Sequence, residues 1–120
     1  MHVSEVWEDL ARESTARLNI GGISWKPAQR WWGNGKNGKA MEIDVIAESF
    51  DEKMLLFGEA KWEEKSNSKA LFEKLDYYVD NFPHVKNRKV FKAIWLKKCQ
   101  KDKKTSEIII VPEDIIETMK

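Results

Sequence analysis

Cysteine and histidine are nearly absent: Cys99, His2 and His84 are the only ones in 120 residues. A lone thiol excludes an intrachain disulfide framework and a cysteine-rich zinc site. Two histidines leave little room for a His-based metal centre. Long apolar runs are missing as well; the longest span four residues, as in Met54–Phe57 and Ile108–Val111, which excludes a membrane-spanning helix. The N-terminus lacks the basic-then-apolar layout of a secretory signal. No Gly-x-x-x-x-Gly-Lys-[Ser/Thr] loop occurs, so the chain carries no phosphate-binding loop of that type. These absences leave a reduced, cytoplasmic protein as the expectation.

The residues present are 42% hydrophobic and 34% charged, enough apolar content for a real core and too much for wholesale disorder. The length predicts one domain over residues 1–120. Net charge is only +1, but the charges are segregated along the chain. From Ser24 to Met41 there are four cations, Lys26, Arg30, Lys36 and Lys39, and no acid. From His84 to Lys104 there are nine cations against Asp102 alone. Such stretches either grip a polyanion on one face or solvate loops and edge strands.

Periodicity supplies the elements. Val3, Val6, Trp7, Leu10 and Leu18 recur at helical spacing, predicting an amphipathic helix over about residues 4–18 with Ser4 as its cap and Asn19, Gly21 and Gly22 as its stop. Gln29–Trp32 reads as a strand. Residues 41–48 alternate, with Glu42 and Asp44 on one face and Ile43 and Val45 on the other. Asp51-Glu52-Lys53 is a turn, and Met54–Trp62 returns antiparallel. A helix starts near Ser66–Ser68 and ends at Asn81-Phe82-Pro83. Val90–Leu96 and Ser106–Val111 are further strands, and Pro112 opens a last helix. The order α-β-β-β-α-β-β-α predicts an α/β (α+β) fold with a mixed sheet flanked by helices.

Two neighbouring strands carry charge where side chains should be buried. Asp44 lies mid-strand, and Gly58-Glu59-Ala60-Lys61-Trp62 puts Glu59 and Lys61 on one face. The turn between the strands sets Asp44 roughly opposite Glu59. Two carboxylates and an ammonium then share a patch, in which one carboxylate pKa should rise or a hard divalent cation should relieve the repulsion. Gly58 would leave room for a phosphate backbone. Taken alone, Glu59 and Lys61 also fit a simple ion pair on a solvated sheet face.

Glu42-Ile43-Asp44 followed by Glu59-Ala60-Lys61 resembles the PD-(D/E)xK nuclease superfamily, in its Holliday-junction-resolvase-like and Mrr-like branch. The stretch from Arg30-Trp31-Trp32 through to Trp62 is similar to the nuclease-like domain at the C-terminus of archaeal-type ATPases, long described as a domain of unknown function. The resemblance implies a restriction-endonuclease-like core. It implies Glu8, Asp44 and Glu59 as ligands of Mg²⁺ or Mn²⁺, with the Ala60 carbonyl as a further ligand. Glu8 enters because it follows Trp7 on the first helix. Lys61 would orient or deprotonate the attacking water, or offset charge at phosphorus. DNA is the implied substrate, cut to leave 5′-phosphates. Ile43 departs from the superfamily proline. A second lysine on the next helix, which some branches have, has Lys69 and Lys74 as candidates. The resemblance also implies an ATPase domain in a longer full-length chain and a homodimer.

Among the six tryptophans, Trp7, Trp62 and Trp95 fall in periodic elements and read as core. Trp25, Trp31 and Trp32 lie with Lys26, Arg30, Lys36 and Lys39 in the acid-free stretch, and aromatics so interleaved with cations, Trp31 and Trp32 above all, are candidates for stacking bases and gripping phosphates. Extended backbone would send the adjacent Trp31 and Trp32 indoles to opposite faces, one of them inward. The sequence thus supports a metal-dependent DNA hydrolase, and beside it a catalytically inactive nucleic-acid-binding or regulatory module.

Overall fold

A computed structural model of the chain describes residues 3–98 and 107–119. His2, Cys99 and the lysine-rich end Lys101–Lys104 lie outside the described residues. The elements in order are helix α1 (Val3–Leu18), strands β1 (Gln29–Asn34), β2 (Ala40–Glu48) and β3 (Met54–Lys61), helix α2 (Ser68–Asn81), strands β4 (Lys89–Leu96) and β5 (Ile108–Ile110), and helix α3 (Pro112–Glu117). The order is the one read from periodicity, with a single 3-10 turn, Ile20–Gly22, added after α1.

Local chemistry sets the boundaries. Asn19 takes a left-handed conformation, φ 46°, and ends α1. Asn67 rather than a serine caps α2, its side chain accepting from the Ala70 amide at 3.0 Å. The Asp51 carboxylate accepts from Ser49 Oγ at 2.6 Å and from the Lys53 amide at 3.0 Å, closing the β2–β3 turn.

The five strands form one mixed sheet in the order β1-β2-β3-β4-β5. The first three are antiparallel and the last two pairings are parallel, with α2 as the crossover between β3 and β4. Each face has its own core. On one, Trp7, Ala11, Val45, Leu56, Ala60, Trp95 and Ile115 pack together beneath α1 and α3. On the other, Met41, Ile43, Phe57, Leu71, Leu75, Ile94 and Phe82 pack beneath α2. Strands covered on both sides read as near-continuous apolar runs, which is why β3 and β4 carry Met54–Phe57 and Ala93–Leu96.

β2 corrects the simple alternation. Gln29 pairs with Ile46 and Trp31 with Ile43, a step of two residues on β1 against three on β2. The extra residue makes a bulge at Asp44-Val45. Ile43 and Val45 therefore belong to opposite cores, not to one face. Gly58 also needs a different explanation. A Cβ there would lie 2.5 Å from the Trp95 ring and 3.0 Å from Val45 Cβ. The glycine admits the Trp95 indole against the strand, and the space expected for a phosphate is filled by protein.

Among the described residues no helix is long and apolar enough to cross a membrane.

Candidate active site

The bulge releases Asp44 from the strand's alternation. The paired register of β2 and β3 runs from Glu48–Leu55 to Val45–Gly58. Beyond it the Asp44 carboxylate takes the next β3 amide, with Ala60 N–H donating to Asp44 Oδ2 at 3.1 Å. The Asp44 carbonyl accepts instead from Arg12 Nη1 at 2.7 Å. Arg12 stands one turn after Glu8 on α1 and also pairs with Asp9 at 2.6 Å. A bulge, a borrowed amide and a guanidinium thus fix Asp44 between α1 and β3.

Glu59 is only 3% exposed, the one charged side chain buried among the described residues. The solvated ion pair that Glu59 and Lys61 suggested in isolation is therefore not what the fold makes. The partner that binds Glu59 is Lys74 of α2, whose Nζ donates to Oε2 at 2.7 Å. The other oxygen, Oε1, is buried without a partner. Burial, then the neighbouring Asp44 charge, push the Glu59 carboxyl above its ordinary range, and Lys74 and Lys61 pull the other way. Lys61 is half-buried at the end of β3, and its charge acts on Glu59.

Glu8 arrives from the opposite layer. Trp7 anchors this turn of α1: its indole is 3% exposed and donates to the Trp95 carbonyl at 3.1 Å. Glu8 then faces a polar cleft of about 600 Å³ shared with Ser4, Glu5, Asp9, Arg12, Arg30 and Glu42. Burial, followed by the Asp44 charge, raises its carboxyl pKa. Asp44 thus acts electrostatically on both glutamates. Tyr78, one turn beyond Lys74, is pushed up by burial and then by the Glu59 charge.

Among the described residues no three His, Cys, Asp or Glu side chains are drawn tightly enough together to hold a metal ion. The donor chemistry nevertheless suits one. Glu8, Asp44 and Glu59 offer only oxygen, the preference of Mg²⁺ and Mn²⁺. The orphaned Glu59 Oε1 is a buried acceptor with no hydrogen-bond partner. Ala60, 5% exposed, sits between Glu59 and Lys61 as the spacing required.

The basic-aromatic stretch divides. Trp32 is 67% exposed, with the Arg30 guanidinium 4.9 Å from its ring centre. Arg30 also lies 3.5 Å from Glu42, joining this platform to the Glu8 cleft. Lys36 and Lys39 are exposed in the β1–β2 hairpin. Trp31 turns inward, edge-on to Phe82 at 5.1 Å, and is removed as a stacking candidate because its ring is packing the α2-side core. Lys26 is removed as a phosphate contact; Glu48 and Glu52 hold it at 3.1 and 2.8 Å. Farther on, Lys97 and Lys98 are both paired to Glu64, at 2.7 Å each.

Arg12 and Tyr78 escaped the sequence reading. The signal for both was helical spacing, four residues from Glu8 and from Lys74 respectively, but such pairs are too common to single out. Lys69 and Lys74 were equal candidates in sequence, and the fold selects Lys74.

A family model described as "DUF234: Archaea bacterial proteins of unknown function" matches residues 1–74, a span that runs from α1 into α2 and contains Glu8, Asp44, Glu59, Lys61 and Lys74. No curated protein and no solved structure gives a significant match.

Proposed function

The chain belongs to DUF234, a family of archaeal and bacterial proteins of unknown function, and from that footing we propose that it is a metal-dependent nuclease-like domain of the PD-(D/E)xK type that hydrolyses DNA phosphodiester bonds. The observation that carries the proposal is the buried Glu59 carboxylate, one oxygen orphaned, set beside Asp44. A structural role does not account for it, because an apolar residue would suit that strand better.

Glu8, Asp44 and Glu59, with the Ala60 carbonyl, would hold Mg²⁺ or Mn²⁺. Bound there, the ion would supply an acidified water and neutralise charge at phosphorus. Lys61 orients the attacking water or offsets charge on the phosphate. Arg12 positions Asp44 through its carbonyl. Trp32 and Arg30 hold the DNA, the indole stacking on a base and the guanidinium meeting phosphate. The reading carries a cytoplasmic location with it. An attached ATPase domain and a homodimer remain expectations of the superfamily resemblance.

The test is Mn²⁺-dependent cleavage of linear, branched and single-stranded DNA, with Asp44→Ala beside the wild type. Cleavage by the wild type alone is expected. Cleavage that survives in Glu8→Ala, Asp44→Ala, Glu59→Ala and Lys61→Ala refutes the site.

Two observations favour a second reading, an inactive nucleic-acid-binding or regulatory module. The three carboxylates are not drawn together, and Lys74 already occupies one Glu59 oxygen. DNA binding through Trp32 without cleavage or saturable Mn²⁺ binding is the outcome that reading requires.

A further inference from the structure

Strands β1 and β2 leave one corner of the sheet bare. Arg30, Trp32 and Asn34 of β1 are exposed, as are Ala40 and Glu42 of β2. Alternation puts all five on the α1 side, because Met41 and Ile43, which alternate with them, pack in the α2-side core. Helix α1 packs on β2 and β3, and these five side chains stay uncovered. A hollow of about 460 Å³ opens among them.

Trp32 and Glu42 are direct partners across the two strands, which sets their Cβ atoms about 5 Å apart on that face. The Arg30 guanidinium lies over the indole, 4.9 Å from its centre, and the ring is still 67% exposed. Glu42 Oε1 stands 3.5 Å from Arg30 Nε, too far for a good hydrogen bond. The Glu42 carboxylate thus keeps both oxygens open beside a flat aromatic surface.

That pairing has a definite complement. A carboxylate only accepts, and it offers two oxygens side by side. Among the nucleobases of DNA only guanine presents two adjacent donors, N1–H and the 2-amino group, on its pairing edge. Adenine and cytosine set an acceptor next to their amino group, and the one N–H of thymine lies between two carbonyls. In a duplex the pairing edge is already taken, so the match is to an unpaired base. The carboxylate repels phosphate, which suits the hollow to a base and not to the backbone. Lys36 and Lys39 are exposed in the hairpin that joins these two strands, and no acid pairs with either among the described residues. They stand four residues from Trp32 and three from Glu42 respectively, where the phosphates on either side of a bound base would pass.

We propose that this corner recognises an unpaired guanine in single-stranded DNA: the base stacks on Trp32, Glu42 accepts from N1–H and the 2-amino group, and Lys36 and Lys39 meet the flanking phosphates. The proposal rests on the DNA-holding part of the reading above, gives it a base preference, and needs no metal.

Fluorescence anisotropy of the whole chain with labelled single strands, in the absence of divalent ions, tests it. The strands are thymine throughout, or carry one central guanine, or one central hypoxanthine, which lacks only the 2-amino group. The guanine strand should bind about tenfold more tightly than the thymine strand, and hypoxanthine should lose most of that preference. Glu42→Gln, which sets an amide N–H against the base donors on an exposed side chain, should bind the guanine and thymine strands alike. Equal binding of those two strands by the wild type, a hypoxanthine strand as tight as guanine, or a preference that persists in Glu42→Gln overturns the inference. Guanosine monophosphate separates a strand from a free nucleotide. It should displace the guanine strand only at far higher concentration, and displacement at equal concentration overturns the assignment to a strand. Guanine-selective binding with no cleavage of any DNA refutes only the nuclease. Cleavage with equal affinities for all strands refutes only the guanine site. No binding to any strand refutes the guanine site together with the DNA-holding role of Trp32 and Arg30.

Discussion

Replacing Glu59 by glutamine should make the fold more stable at neutral pH while destroying the site. The substitution keeps the shape and removes a charge from a position 3% exposed. It replaces an unpartnered buried charged oxygen by an unpartnered neutral amide atom, which is cheaper to bury by about 1–3 kcal/mol. Against that stands the lost bond to Lys74. That ammonium is nearly half exposed and returns to water, so the loss is about 1 kcal/mol. The net gain is about 1 kcal/mol, a rise of about 3–6 °C in Tm for a chain of this length. The pH dependence follows from linkage. Burial first, and Asp44 second, raise the Glu59 pKa in the folded state above its ordinary 4.5. The folded protein therefore holds that proton more tightly than the unfolded chain. The stability this provides is complete below the ordinary value and is lost as pH rises through the raised one. Glutamine mimics the protonated form at every pH. Its advantage should be present at pH 7 and absent near pH 4. Urea denaturation of both proteins at the two pH values measures it. A Glu59→Gln protein that is less stable than wild type at pH 7, or equally favoured at both pH values, refutes the reasoning.

Three further outcomes are expected. Gly58→Ala should cost about 1–3 kcal/mol in urea denaturation, because the new methyl meets the Trp95 ring at 2.5 Å. Trp32→Ala should leave stability within about 0.5 kcal/mol and weaken single-stranded DNA binding by about 1–3 kcal/mol in a fluorescence titration; Trp31→Ala should do the reverse, lowering Tm with little effect on binding, since its ring packs on Phe82. Mn²⁺ affinity should fall as pH is lowered, beginning above the ordinary glutamate range, because burial leads the upward shift of both Glu8 and Glu59; a calorimetric affinity that stays flat until that ordinary range is reached contradicts the ligand set.

The path from Glu59 to Lys74 shows what each level of description could reveal. The alternating and helical periods were written in the chain, and they placed every strand and α-helix described, though not the 3-10 turn Ile20–Gly22, because a sheet or helix must bury one stripe of apolar side chains. Glu59 and Asp44 also stood out in the sequence, as charges inside otherwise apolar strands. Their partners did not. Lys69 and Lys74 are equivalent by composition, and only the crossover of α2 over the sheet brings one of them onto Glu59.

Asp44 and Gly58 mark the other boundary. Strict alternation put Ile43 and Val45 on one face, but the extra residue on β2 sends them to opposite cores. A bulge is a relation between two strands and leaves no mark on either sequence alone. Gly58 suggested room for a ligand, and the room belongs to Trp95, a residue thirty-seven positions away in sequence. The sequence by itself determined the elements, their order, the mixed sheet and the inventory of charges, since these depend on period and local backbone chemistry. Tertiary structure alone decided which charges meet, which tryptophan faces water and which lysine is held by Glu59, since those follow from register and from the packing of α1 and α2 on opposite faces of the sheet.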